Sequence, residues 1–302
     1  MKKTLIVLAF SLLASNATAA AKLKVVTTTS DIAAIMREVG GERIGVTSIA
    51  RGYQDPHFVE PKPSFLLLLR DADLLAVIGL DLEIGWLPPL LDQSRNNSIR
   101  RGSAGYLDLS QGVEILDRPK GSVDRSMGDV HPLGNPHYWL DPANAVRMAI
   151  QIEKKLSELR PSDATYFRER LNAFKLKMSD ADKRWRAALA PFRGAKIVTY
   201  HNSWPNFVRR YGLDVVGYVE PKPGVPPSPA HIFSLINTMK EQKVKLILME
   251  PYFDSKTPQS IADRTGAQLV VIYPSVGGAK SGSDDYFALF DMNVGNIVKA
   301  LR

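Results

Sequence analysis

Three histidines in this sequence stand at points where polar loops interrupt apolar runs. His57 lies in Asp55-Pro56-His57, His137 in Asn135-Pro136-His137-Tyr138-Trp139, and His201 directly follows the apolar run KIVTY. Near the C-terminus, Ser283-Asp284-Asp285-Tyr286 adds two carboxylates. Imidazole nitrogen and carboxylate oxygen are the donors of borderline divalent metals. The chain has no cysteine, so a thiolate site, a disulfide framework and a cysteine nucleophile are all excluded. Any metal here must be held by nitrogen and oxygen alone. Taken singly, a loop histidine is an ordinary surface or hydrogen-bonded residue. The long separations between these three match no local ligand-spacing motif. The two other histidines, His131 and His231, carry less signal. His131 falls in the same loop as His137 and could assist metal capture; His231 reads as structural or surface.

Groups this far apart in sequence can converge only if the fold brings loop ends together. Leu23–Thr27 reads as a buried strand, and residues 31–39 have helical spacing closed by Gly40-Gly41. A strand follows at 44–50, a helix from Pro63 to Leu69, a strand at 74–78 and a helix at 86–93. Strand–helix alternation of this length predicts parallel strands with helical crossovers. From Pro142 to Leu189 the sequence turns helical and charged, with Asp141 as N-cap and Pro142 at the first helical position. Phe167, Leu171, Phe174, Met178 and Trp185 recur about once per turn, which predicts one helix of roughly 40 Å. Alternation resumes with strands at 196–200, 215–219, 246–249 and 268–273, and helices at 205–210, 230–242, 258–264 and 286–301. The predicted fold is α/β: two Rossmann-like lobes with parallel-rich sheets, residues 22–160 and 191–302, joined by a connecting helix over 161–190. In open parallel sheets ligands bind beyond the carboxyl ends of strands, so the site is expected in the loops that follow them. Arg118 to Pro136 and Glu220 to Pro229 read as loops.

Composition limits the function classes. With 45% hydrophobic and 23% charged residues, the 302-residue chain is an ordinary globular protein. Met1-Lys2-Lys3, the uncharged run to Ala14 and the Ala17-Thr18-Ala19 pattern form a secretory signal peptide over residues 1–19. Without a cysteine, lipid anchoring at a processed N-terminal Cys is excluded. The net charge of +8 falls to +6 when Lys2 and Lys3 are removed. The remaining basic residues are scattered, with none of the basic–aromatic interleaving of nucleic-acid grooves, so no nucleic-acid partner is expected. The sequence pI of about 9.5 would suit an anionic solute, but no glycine-rich phosphate loop accompanies it. Neither H-E-x-x-H nor G-x-S-x-G occurs, which argues against a metal-dependent or serine hydrolase and for no enzyme activity.

The combination resembles one family, the zinc/manganese class of periplasmic solute-binding proteins that serve ABC transporters. The resemblance covers essentially the whole mature chain. It rests on TTTSDIAAIMREVGGERI, DPHFVEPKPS, DADLLAVIGLDLEIGWLPPLL, NPHYWLDP, TYHNSWPNFVRRYGL and SDDYFALFDMNVGNIVKAL, with the second and fourth the most specific. It implies that His57, His137 and His201 are imidazole ligands, that an Asp before the last helix is the fourth, and that the metal lies in the cleft between the lobes. The family's D-x-Y pattern selects Asp284, with Asp285 as competitor. Three neutral nitrogens and one carboxylate suit tetrahedral Zn²⁺, whereas Mn²⁺ prefers more oxygen. In the family a Glu at the third position often accompanies manganese, and here His201 stands there. Zinc is therefore the expected cargo, with manganese or iron as the alternative. Many zinc-specific relatives carry a long His-rich loop between the first two ligand motifs, whereas residues 117–136 hold only His131. Zinc would then arrive freely or from a periplasmic metallochaperone. The expected partners are the metal ion and an ABC permease; a monomer in the periplasm is expected, and an additional adhesin role stays open. Asp55, Asp141, Glu220 and Glu250 are candidates to orient the imidazoles, with an N-cap the better reading for Asp141. Trp139 and Trp204 read as packing residues beside the site.

Overall fold

The computed structural model describes residues 21–121 and 130–302. The signal-peptide reading (1–19) and the centre of the loop expected from Arg118 to Pro136 lie outside them. Among the described residues, no helix is long and apolar enough to cross a membrane.

Two four-stranded parallel sheets organise the chain. The first contains β1 (Leu23–Thr27), β2 (Ile44–Ser48), β3 (Leu74–Val77) and β4 (Tyr106–Asp108), in the order β2-β1-β3-β4. The second contains β5 (Lys196–Thr199), β6 (Asp214–Tyr218), β7 (Leu246–Met249) and β8 (Gln268–Val271), in the order β6-β5-β7-β8. The two sheets thus repeat one winding, although the sequence shows no repeat by eye. Each parallel pair needs a crossover. These include α1 (Ser30–Gly40), α2 (Pro63–Arg70) and α3 (Leu87–Ser94) in the first half. The second half uses α6 (Pro205–Tyr211), α7 (Pro229–Glu241) and α8 (Lys256–Thr265). Between the sheets run α4 (Pro142–Leu159) and α5 (Ala164–Leu189), and α9 (Tyr286–Leu301) closes the chain. The expected two-lobe α/β fold is present. Strand β4 was not expected: it is a three-residue element, Tyr-Leu-Asp, too short to show a period.

The strands alternate between cores, as side chains on successive residues must. Val25, Leu74, Ala76, Ile197, Leu246 and Leu248 face one shared core. Val26, Leu75 and Val77 join Trp86 and Leu90 in a separate outer core. Val198 and Ile247 join Ile236, Met239 and Ile261 in a third. The shared core spans both lobes and includes Phe167, Leu171, Phe174, Met178 and Trp185 of α5. With 26 residues, α5 is about 39 Å long, and it packs against α1, α4 and α9. Phe174 and Trp185 meet Phe287 of α9 at ring-centroid distances of 5.7 and 6.4 Å.

The lobes are also tied beside the cleft. Asp31, fully buried at the start of α1, accepts a 3.0 Å hydrogen bond from the Val276 backbone of the other lobe. Trp139 donates through Nε1 to the Pro274 carbonyl at 2.8 Å. Tyr286 donates to the Trp139 carbonyl at 2.5 Å. Asp141 caps α4 by accepting from Ala143 N, as expected, and its carboxylate also pairs with Arg210 at 3.0 Å. The cap of α1 is Thr29, whose side chain accepts from Ile32 N.

Candidate metal centre

His57, His137 and His201 converge in the cleft. One ring nitrogen from each lies within 4.8 Å of the others. Their ring centroids are 5.2 Å (57–137), 5.6 Å (57–201) and 5.5 Å (137–201) apart. Each arrives from the loops beyond the carboxyl ends of strands: His57 after β2, His137 between β4 and α4, and His201 two residues after β5.

Two of the rings are held by the same local device. In Asp55-Pro56-His57, Asp55 Oδ1 accepts from the His57 backbone N–H at 3.0 Å and lies 2.7 Å from Nδ1. In Asn135-Pro136-His137, Asn135 Oδ1 accepts from the His137 N–H at 3.0 Å and lies 3.0 Å from Nδ1. The acceptor occupies Nδ1, so that nitrogen carries the proton and Nε2 keeps its lone pair. His201 uses a distant partner: its Nδ1 lies 2.6 Å from Glu220 Oε2, and both side chains are buried. Glu220 Oε1 accepts from Gly224 N at 2.6 Å, which fixes the carboxylate in turn.

The supports are buried and reach into both lobes. Trp86 donates to the Pro56 carbonyl at 3.0 Å, and Tyr138 donates to the Ile78 carbonyl at 2.7 Å. Asn135 donates to the Asn202 carbonyl at 2.8 Å, linking the second and third histidine loops. Thr199 donates to the His201 carbonyl at 2.9 Å, and Trp204 to Glu250 Oε1 at 2.9 Å.

The electrostatics differ from ring to ring. Burial and then the neighbouring histidine charges hold His137 well below the usual histidine range. For His201, burial works against the imidazolium, but the Glu220 hydrogen bond and the charges of Glu250, Glu220 and Asp55 outweigh it and raise its pKa. Burial alone would raise Asp55; its hydrogen bond and charge interaction with His57 reverse this and lower it. Burial pushes Glu250 up, opposed by His201 and by hydrogen bonds.

His137 Nε2 is buried and has no hydrogen-bond partner among the described residues. A lone pair removed from water and left unmatched is costly unless a ligand meets it. Three imidazoles with anchored Nδ1 positions are, in their neutral form, a donor set for a divalent transition metal.

The remaining expected residues separate. Asp285 is the N-cap of α9, with Oδ1 accepting from Phe287 N and Ala288 N at 2.8 Å each. Asp284, one residue earlier, is exposed and is not among the converging donors. His131 instead stands beside the cluster, its Nε2 3.2 Å from His57 Nε2. His231 bonds the Tyr218 carbonyl through Nε2 at 2.9 Å, a structural contact. Of the acidic candidates, Asp55 and Glu220 orient the His57 and His201 rings, Glu250 holds Trp204, and Asp141 caps a helix. Trp139 and Trp204 are buried packing residues, as expected. Sequence reasoning gave Asn135 no role. The parallel between Asp55-Pro56-His57 and Asn135-Pro136-His137 was the signal that could have found it.

The model of the family described as "ZnuA: Zinc-uptake complex component A periplasmic" matches residues 25–300. The chain is 28% identical to the "Manganese ABC transporter substrate-binding lipoprotein PsaA" of Streptococcus pneumoniae, covering 98% of this chain and 96% of that protein. It is 27% identical to the "Metal ABC transporter substrate-binding lipoprotein ScbA" of Streptococcus cristatus, over 95% and 91% of the two chains. A crystal structure of ZnuA superposes with a TM-score of 0.78 at 26% identity, over 93% of this chain and all of that one. A manganese-bound periplasmic metal-binding protein from Candidatus Liberibacter asiaticus shares the fold, with a TM-score of 0.76 at 19% identity over 93% and 100% of the chains.

Proposed function

Since this chain belongs to the zinc-uptake complex component A family, a family of transport proteins rather than enzymes, we propose that it captures Zn²⁺ in the periplasm and delivers it to an ABC importer permease. The observation that carries this reading is the convergence of His57, His137 and His201, each with Nδ1 held by an acceptor, which leaves Nε2 as the coordinating atom. Nitrogen donors favour zinc over manganese, which prefers oxygen and higher coordination. Asp55 and Glu220 supply two negative charges behind the rings, matching the ion's charge without touching it. Manganese is the second reading, favoured by the name of the pneumococcal relative. The streptococcal relatives are named lipoproteins, whereas this chain has no cysteine to carry a lipid.

We retain the division into an N-terminal lobe (22–160), a connecting helix (161–190) and a C-terminal lobe (191–302). The connecting helix lies in the core shared by both lobes, so large hinge closure would break that core. Binding therefore reorders loops at the strand ends more than it swings lobes, and release requires the permease to disturb ligands on one side. Protonation assists release, since ligand imidazoles must be neutral.

The test is competitive calorimetry of the stripped protein with zinc and manganese. One tightly bound zinc per chain, with binding lost in His137→Ala, supports the reading. Absence of binding, or an affinity that His137→Ala leaves unchanged, refutes it. Preference for manganese overturns the choice of metal alone.

A further inference from the structure

We propose that His131 is the fourth donor of this centre, so that the cargo ion is held by four imidazole nitrogens. The proposal rests on the metal-binding reading above and deepens it.

The first ground is distance. His57 Nδ1 is committed to Asp55, which leaves its Nε2 as the coordinating atom. His131 Nε2 lies 3.2 Å from that atom. Zinc–nitrogen bonds of 2.0–2.1 Å at tetrahedral angles put neighbouring donors about 3.3 Å apart. The His57–His131 pair already has the separation of one edge of such a tetrahedron. In the ion-free protein the same contact is an N–H···N hydrogen bond, with His131 donating. An entering ion takes the Nε2 lone pair once that proton is released to solvent and the ring is reprotonated at Nδ1, with the Leu80 backbone as the ring's other hydrogen-bond partner.

The second ground is position. His131 lines both cavities at the cleft: one of about 170 Å³ that it shares with His137 and His201, and one of about 640 Å³ that it shares with His57. It therefore stands between the wider space and the three converging rings. The loop is also built to hold it there. The Gly134 N–H donates to the His131 carbonyl at 3.1 Å, closing a turn. Gly134 has φ +109°, and a Cβ there would lie 2.4 Å from Ile115 Cγ2, so the turn requires glycine.

The third ground is charge. Asp55 and Glu220 already oppose the two positive charges of the ion. A fourth neutral donor adds no charge to a buried centre already faced by Asp55, Glu220 and Glu250, whereas Asp284 as ligand would add a further negative charge. Neither residue belongs to the three-histidine cluster, but His131 touches it through His57 Nε2, whereas Asp284 is exposed.

The experiment compares His131→Ala with Asp284→Asn in competitive zinc titrations, with His137→Ala alongside. His131→Ala should weaken zinc binding by at least about 10-fold, because even residues behind the ligands cost 10–100-fold. Asp284→Asn should stay within about threefold of the parent. The reverse pattern overturns the proposal while leaving the metal-binding reading intact; an unchanged His137→Ala sinks that reading itself. A second measurement needs no substitution: ¹⁵N NMR of histidine-labelled protein titrated with zinc. The His131 Nε2 resonance should move together with those of His57, His137 and His201. A His131 resonance that stays in place while the other three move overturns the assignment.

Discussion

Glu220→Gln is the sharpest probe of how this centre is held. Glu220 does two jobs with its two oxygens: Oε2 lies 2.6 Å from His201 Nδ1, and Oε1 accepts from Gly224 N at 2.6 Å. A glutamine has the same shape but only one acceptor. If its oxygen faces Gly224, its NH₂ faces His201 Nδ1, and the ring must accept there. The His201 proton then moves to Nε2 and the coordinating lone pair is lost. If its oxygen faces His201, two donors meet at Gly224 in a buried position. Either way a charge-assisted hydrogen bond worth about 1.5–3 kcal/mol goes. That is about 10–100-fold in zinc affinity, matching the usual cost of removing the support behind a ligand imidazole. Glu220→Asp keeps both acceptors but shortens the reach, and should lie between the two. The assay is competition against a chromophoric chelator, with circular dichroism to verify the fold. A Glu220→Gln affinity within threefold of the parent would refute the claim that this carboxylate sets the His201 tautomer.

Other predictions concern the support and the frame. Asp55→Asn turns the first histidine motif into a copy of the second. The Oδ1 acceptor survives and the charge does not, so zinc affinity should drop about 10-fold in the same titration, while ring orientation is kept. Burial raises the Asp31 carboxyl to about 7 and the Glu83 carboxyl to about 7. The folded protein therefore keeps protons that the unfolded chain releases from about pH 4 upward, and stability falls as pH rises from about 4 to 7. For Asp31 the change is at most about 4 kcal/mol. Asp31→Asn keeps the acceptor for Val276 and should flatten part of that slope; denaturation midpoints of metal-free protein at pH 5 and 7.5 that still change in parallel with the parent would contradict this. Phe174→Ala removes a buried ring from the core shared by both lobes and should cost about 3–5 kcal/mol in chemical denaturation. A loss under 1 kcal/mol would mean that α5 is not a structural tie between the lobes.

Much of the frame was legible because its signals are local. Strands such as Leu74–Val77 are continuous apolar runs, and α5 repeats an aromatic or aliphatic residue on one face for 26 residues. Asp141-Pro142 announces a helix start by cap and ring geometry. Strand β4 escaped because three residues carry no period. The three convergent histidines were legible through their motifs, not through spacing, since each comes from a different strand end. What the sequence could not show was which side chains meet across loops. Glu220 reaches His201 over 19 positions, and His131 reaches His57 over 74. Those contacts depend on how two sheets share one core. Asp284 was chosen by pattern, and local geometry explains its position: Asp285 is pinned as a helix cap, and its neighbour faces solvent.

The central claim is that the three convergent imidazoles bind zinc through their Nε2 atoms. The most direct measurement is anomalous diffraction at the zinc edge from crystals of the zinc-loaded chain. A single strong peak is expected in the cleft, about 2.0–2.1 Å from Nε2 of His57, His137 and His201. A cleft without a peak, or zinc bound at other residues, would contradict it.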